Sequence, residues 1–418
     1  MRRLSVYADF DWLSEAELVG ELGYESLRGS ESFCFTFSND WLRRHADVFL
    51  CEDLNSYPGP QYAGGDRGLF GCFADVLPDR WGRTLLWRRE QTEALAEGRP
   101  ARRLSSFDFL TGIDDFSRMG ALRFMEEGEF IHAGGNLSIP PLTDVHALLA
   151  AIQELEACEE DNRLPALKWI AQLVKPGSSL GGARPKASVR DAGGRLCIAK
   201  FPSRRDDYDV GLWEHFAHLI AKEAGVQAAQ TEVIDAGGRH HTLLSQRFDR
   251  TGEGRRVHFA SAMALLGLRD GDGASTGHGY LDIVDFIIRH CTRVEDNLRE
   301  IYRRVAFNIC IGNSDDHFRN HGFLLTPKGW TLAPAYDMNP SLSEWQGLMV
   351  SAASNRADLN VLLGAHEDYL ISKREADRIV DEVAGSVSGW RSLAKRLGMA
   401  KREVDLFAAV IDARCKKR

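Results

Sequence analysis

The sequence predicts an α+β chain in which a β-rich part precedes a mainly helical part, giving two lobes with a cleft between them. Three stretches carry that prediction. Residues 164 to 248 alternate strand-like runs with glycine turns, and the text beyond Ser261 is mostly helical. The helical part is interrupted once, by "FNICIGNSDDHFRNHGFLL" from Phe307 to Leu325.

In chain order, Leu4 to Leu137 mixes short strand-like runs such as "SFCFTF" with many glycines and one helical pattern, "DRWGRTLLWRREQTEALAEG". A second helix follows in "LTDVHALLAAIQELEACEE", with Thr143 as its expected N-cap. Strands are then expected at "KASVRD" and "LCIAKFP", joined by a "DAGGR" hairpin turn. A helix over "DVGLWEHFAHLIAKEAG" and strands at "QTEVIDA" and "HTLLSQRF" complete this segment. The expected parts are an N-terminal subdomain over residues 1–140, a β-rich lobe over 141–250 and a helical lobe over 251–418.

Composition narrows the function. The 418 residues are 44% hydrophobic and 27% charged, ordinary for a folded soluble protein. No apolar run approaches the ~20 residues of a membrane helix, and acids interrupt the N-terminal basic text, so no signal peptide is expected. The cysteines at 34, 51, 72, 158, 197, 291, 310 and 415 form no CxxC pair, which favours reduced thiols and a cytoplasmic setting. A net charge of -8 argues against broad nucleic-acid binding, and the basic runs "RRLSS" and "CKKR" read as a solvated face and a tail.

The chemistry concentrates where an apolar run breaks at Gly312 into polar residues. Asp315 and Asn320 have the spacing of a kinase catalytic loop, where the aspartate accepts the proton of a substrate hydroxyl and the asparagine offers an oxygen to magnesium. Such a pair recurs by chance, and two loop caps are the plainer reading. Context favours the first: strands at 322–326 and 330–333 around a "PKG" turn form a hairpin that should return Asp337 to the vicinity of Asn320. One carboxylate and one amide oxygen are the hard donors that magnesium takes when phosphates fill its other positions. Asp316 is expected to be exposed or paired with Arg319.

Upstream, "PGSSLGGARPKASV" is a small-residue loop whose N–H groups could cradle phosphates, although it is no Walker A motif. Lys200 ends the next strand, either snorkelling or facing a phosphate. Glu214 could pair with it from the following helix, with Glu223, near that helix's end, as the solvated competitor. Backbone groups from Gln246 through Arg247 to Phe248 could meet a nucleotide base, and Phe248 could equally be plain core.

The blocks "GLFGCFADVLPDRWGR", "DDFSRMGALRF", "SSLGGARPKA" and "FNICIGNSDDHFRNHGFLL" with "LAPAYDMNPS" occur in an order that resembles the HipA family of bacterial serine/threonine kinases, the toxin half of toxin–antitoxin pairs. The resemblance implies a protein-kinase-like two-lobe fold with an extra N-terminal β-rich subdomain and a mainly α-helical C-terminal lobe. It implies ATP and magnesium as cofactors, with Asp315 as base and Asn320 and Asp337 as metal ligands. Lys200, Gly181, Gly182 and Ala183 would lie at the ATP phosphates and Gln246, Arg247 and Phe248 at the adenine. His317 matches a family position beside ATP and is assigned loop ordering.

The resemblance further implies autophosphorylation of a loop serine, Ser179 or else Ser178, which ejects the loop and switches the enzyme off. The implied partners are a HipB-like helix-turn-helix antitoxin, operator DNA engaged through it, and a protein substrate of the aminoacyl-tRNA synthetase kind. No membrane contact is implied. Arg184 stands where a glutamine is expected, Gln246 where an acid is common, and Asp316 where some relatives carry a small residue; none of these removes a catalytic group. Two other functions fit the same motifs: a small-molecule kinase, and a non-catalytic kinase-like co-repressor.

Overall fold

The structure is a computed structural model that describes the chain except for residues 28, 65–67, 132–138, 162, 175–181, 183 and 416–418. It forms two compact units, Met1–Asp206 with Ile234–Ala260, and Asp207–Val233 with Ser261–Arg418.

In the first unit, an antiparallel six-stranded sheet has the spatial order Pro60–Tyr62, Ser30–Phe37, Glu17–Leu27, Arg2–Ala8, Leu122–Glu126, Glu129–Phe130. Its strands alternate as a half-buried sheet requires, with Leu4, Val6 and Ala8 inward on one and Phe33, Phe35 and Phe37 on another. A second sheet contains Lys186–Arg190, Leu196–Lys200 and Thr242–Gln246, paired antiparallel. Its first turn is the expected hairpin: Asp191 accepts from the N–H groups of Gly193 (2.9 Å) and Arg195 (2.8 Å), and Gly194 takes φ +78°. Ala187, Val189 and Ala199 on this sheet pack into one core with Trp81, Leu85, Leu148 and Ile152.

Those last four lie on the helices Arg80–Ala96 and Val145–Glu160. Asp79 caps the first helix by accepting from Gly82 N–H at 2.7 Å. Thr143 does not cap the second. A 3₁₀ turn, Leu142–Asp144, precedes that helix, the cap position falls on Asp144, and the Thr143 hydroxyl meets Asp144 Oδ1 at 3.4 Å instead. Within the basic run, Arg102 pairs with Asp108 and Glu90.

The second unit is mainly helical. Helix Val210–Glu223 places Trp213 against Trp390 and Phe407, with ring centroids 6.4 and 4.5 Å away, and the indole N–H donates to Glu403 at 2.9 Å. The long helix Val294–Ile311 is buried along most of its length. It stops at Gly312, whose φ of +84° is the left-handed ending that glycine adopts without steric cost. The hairpin Gly322–Thr326 and Gly329–Leu332 follows in the register Phe323↔Leu332 to Thr326↔Gly329, its second strand one residue earlier than expected. No described helix is long and apolar enough to cross a membrane, and all eight cysteines are free thiols.

Candidate functional site

Between Gly312 and the hairpin, the chain from Asn313 to His321 forms a loop held by its own backbone and its neighbours. Asn320 N–H donates to His317 O at 2.8 Å, closing a turn, and Asn320 Nδ2 donates to Asp315 O at 3.0 Å. That second bond ties Asn320 to the residue five positions back and leaves its Oδ1 on the other side of the amide. The loop is anchored from outside by Ala262 N–H on His321 O (2.7 Å) and Met263 N–H on Phe318 O (3.2 Å).

The hairpin leads into residues 333–339, and this segment is fixed as firmly. Arg304, paired with Glu300 at 2.7 Å, donates to Ala333 O at 2.7 Å. Ala335 exchanges bonds with 227–229: its N–H donates to Gln227 O (2.7 Å) and its carbonyl accepts from Ala229 N–H (2.9 Å). The Tyr336 hydroxyl donates to Arg319 O at 2.6 Å, back in the loop. Asp337 then adopts φ +57°, a left-handed conformation uncommon for any residue but glycine and best tolerated by Asn and Asp. Such outliers gather at functional sites.

Asp315 and Asp337 are electrostatic neighbours. Burial raises the Asp315 carboxyl above the usual carboxylate range and His317 opposes that, while the charges of Asp337 and Asp316 push it further up. Among the described residues no cluster of three or more His, Cys, Asp or Glu side chains could form a metal cage. Asn320 and Asp337 offer one amide and one carboxylate oxygen, a set that suits magnesium when phosphate supplies most of the remaining ligands.

Asp316 departs from expectation. It is neither exposed nor paired with Arg319, which meets Asp270 at 3.3 Å. The side chain is buried, and its Oδ2 accepts from Tyr280 Oη (2.5 Å), Asn308 Nδ2 (2.7 Å) and His321 Nε2 (2.9 Å). Burial disfavours its charge, yet the charge and hydrogen bond of His321, the Tyr280 hydrogen bond and the charge of His317 hold its carboxyl below the usual range. Asn308 also accepts from Asn313 Nδ2 at 3.1 Å, and Asn313 Oδ1 accepts from Asn339 N–H at 3.3 Å. Sequence reasoning passed over Asn308, although one asparagine inside the apolar "FNICI" signals a buried polar contact.

Glu214 lies in the same unit, buried, with Asn339 Nδ2 at 3.4 Å and His218 Nε2 at 3.9 Å. Glu223 is exposed at the end of its helix.

The remaining expected site residues belong to the first unit. Lys200 is half-buried and lies in register with both Lys186 and Leu243 on the flanking strands. Gln246 stands opposite Cys197. The Arg247 side chain is buried on Asp249 (2.6 and 2.8 Å) and on the carbonyls of Ser117 and Arg118, and its N–H donates to Leu196 O at 3.0 Å. Phe248 packs its ring 5.7 Å from that of Phe259. Ser178, Ser179, Gly181 and Ala183 lie outside the described residues.

Gly182 takes φ +90°, and a Cβ there would approach Lys186 Nζ to 3.0 Å. Two ion pairs clamp the chain just after it. Arg184 grips Asp206 through Nη1 and Nη2 of its guanidinium (3.0 and 2.5 Å), and Lys186 forms a buried pair with Asp79 at 3.0 Å.

Residues 178–390 match the model of the HipA-like C-terminal domain family. A "Serine/threonine-protein kinase toxin HipA" from Shewanella oneidensis is 22% identical over 347 residues, covering 77% of this chain and 72% of that protein. "Putative kinase Y4mE" from Sinorhizobium fredii is 24% identical over 415 residues, 91% of this chain and 92% of the relative. The fold resembles that of a chain from the Shewanella oneidensis HipA, HipB and operator DNA complex, with TM-score 0.69 and 18% identity over 99% of this chain and 96% of that one. With the family match spanning half of its length, the chain belongs to the HipA-like C-terminal domain family.

Proposed function

We propose that the chain is an ATP- and magnesium-dependent serine/threonine protein kinase of the HipA toxin type. The observation that carries this reading is the geometry of the loop: Asn320 Nδ2 donates to the Asp315 carbonyl at 3.0 Å, and Tyr336, next to Asp337, donates to Arg319 O at 2.6 Å, while burial raises the Asp315 carboxyl. An aspartate that holds a proton more readily than usual is a better general base near neutral pH.

In this reading the acceptor hydroxyl gives its proton to the Asp315 carboxylate as its oxygen bonds to the γ-phosphorus and the β–γ bridging bond breaks, releasing ADP. Asn320 and Asp337 would hold the metal, and Lys200 the phosphates. Bound magnesium supplies charge neutralisation along the phosphates. The protein's contribution is placement, with Asp337 fixed by Ala333, Ala335 and Tyr336 and Asn320 fixed by Asp315 and His317.

The acceptor is a cellular protein, an aminoacyl-tRNA synthetase being the class that the family resemblance implies, and the second acceptor is the chain's own Ser179 or Ser178. A phosphate there adds close to two negative charges, which disfavours a loop packed beside ATP. A HipB-like antitoxin is the proposed partner in the cytoplasm. The net charge of -8 supports DNA contact chiefly through that partner.

The test is mass spectrometry of the purified full-length protein after incubation with ATP and magnesium. The reading expects one added phosphate on Ser179 or Ser178, absent in Asp315→Asn. Nucleotide turnover with no phosphate on protein would favour a small-molecule acceptor, and no magnesium-dependent nucleotide binding would favour a non-catalytic co-repressor.

A further inference from the structure

The buried side chains behind the loop form a continuous hydrogen-bonded chain. It runs from Asn339 N–H to Asn313 Oδ1 (3.3 Å), from Asn313 Nδ2 to Asn308 Oδ1 (3.1 Å), and from Asn308 Nδ2 to Asp316 Oδ2 (2.7 Å). Tyr280 Oη and His321 Nε2 complete it on the same carboxylate oxygen at 2.5 and 2.9 Å. Every side chain in it is buried, and Asn339 contributes its backbone N–H. Its ends are placed with a clear pattern. Asp316 follows Asp315, His321 follows Asn320, and Asn339 stands two residues after Asp337.

An ionised carboxylate only accepts hydrogen bonds, so His321 must carry its proton on Nε2 to join. Its Nδ1 is buried with no hydrogen-bond partner among the described residues, so the Asp316 carboxylate takes the ring's one hydrogen bond, while the Tyr280 ring packs edge-on against it with centroids 5.6 Å apart. A neutral, apolar filling of this space would maintain the fold without fixing directions. A carboxylate receiving three donors from the loop, the long helix Val294–Ile311 and the helix Tyr280–His290 fixes them in three dimensions. The backbone agrees: Gly347 N–H donates to Ser314 O at 3.0 Å, and a Cβ on Gly347 would come within 2.8 Å of Asp316 O.

We infer that Asp316, with Asn308, Tyr280 and His321, is a positioning device that sets Asp315, Asn320 and Asp337 relative to one another, so that the base and both metal ligands are aligned before nucleotide arrives. The inference rests on the kinase reading above and assigns Asp316 no contact with substrate. Displacing a reacting group by about 1 Å can cost on the order of 100-fold in rate.

The test uses the full-length protein, with self-phosphorylation rates and binding of a fluorescent ATP analogue as magnesium is raised. Asp316→Asn is expected to lower kcat about 100-fold and to raise the magnesium concentration for half-maximal nucleotide binding. Analogue affinity without magnesium should remain unchanged. Tyr280→Phe removes one donor and little volume, and should show the same defects to a smaller degree. Combined with Asp316→Asn it should add little, because both act on one carboxylate.

A purely structural role would lower the melting temperature and leave both readouts at wild-type values well below it; that result in either folded variant overturns the inference. If Asp316→Asn does not fold, Tyr280→Phe decides alone. If Asp315→Asn is inactive while Asp316→Asn and Tyr280→Phe behave as wild type, the kinase reading stands and only this inference falls. If the wild type transfers no phosphate, both fall.

Discussion

At the scale of single residues, the two adjacent carboxylates are opposites. Asp315 has a raised carboxyl, so its charge is disfavoured in the folded chain; Asp316 has a lowered one. Stability linked to Asp316 is therefore present above its unfolded value of about 3.9 and lost as pH falls through the lower folded value. The charge on Asp315 works against folding above its unfolded value. Asp315→Asn is thus expected to leave the melting temperature at pH 7 unchanged or raised while abolishing transfer, and calorimetry beside the transfer assay checks both. The pH profile of kcat/KM should fall on acidification through an apparent pKa above the ordinary aspartate value of about 3.9. An acid limb at or below that value would remove Asp315 as the base. The sequence made Asp315 and Asn320 visible because their spacing is local. Asp316 was misread because its three donors come from Tyr280, Asn308 and His321, and two of those lie outside the loop.

At the scale of elements, the junctions matter most. Gly312 ends the long helix at φ +84°, and a Cβ there would meet Val410 Cγ1 at 2.9 Å and the Ser341 carbonyl at 3.2 Å. Gly312→Ala combines backbone strain with that contact and should cost about 1–3 kcal/mol, measurable as a lower urea midpoint. The helix Arg80–Ala96, the "DAGGR" hairpin and the hairpin after Asn320 were legible because caps, glycine turns and alternation are written within each element. The start of helix Val145–Glu160 was misjudged by one residue: Thr143 is a good cap by type, but a 3₁₀ turn moves the cap to Asp144. The left-handed backbone of Asp337 is not written in its local sequence; it ends a segment tied down by the contacts of Ala333, Ala335 and Tyr336, which come from residues distant in the chain.

At the scale of the molecule, each unit has its own buried polar anchor. In the first, Asp249 accepts from Arg247 (2.6 Å), Arg250 (2.7 Å) and the Gly120 N–H (2.8 Å), joining the end of strand Thr242–Gln246 to the entry of strand Leu122–Glu126. Removing one partner of a fully buried pair leaves the other charge uncompensated, so Asp249→Asn should destabilise this unit by about 3–5 kcal/mol. Faster hydrogen exchange at the Gly120 and Arg247 amides would show it, and unchanged protection would refute it. Linear order hides that 207–233 belongs to the helical unit although strands of the first unit flank it on both sides. Its membership rests on long-range contacts such as Trp213 on Glu403 and Ala229 on Ala335.

The most direct measurement is transfer of labelled γ-phosphate by the full-length protein across a magnesium titration, for wild type, Asp315→Asn and Asp337→Asn. Magnesium-dependent labelling is expected of the wild type, none of Asp315→Asn at any magnesium concentration, and for Asp337→Asn a half-saturation displaced to higher magnesium. Labelling of Asp315→Asn at the wild-type rate, or a magnesium dependence indifferent to Asp337, would contradict the kinase reading.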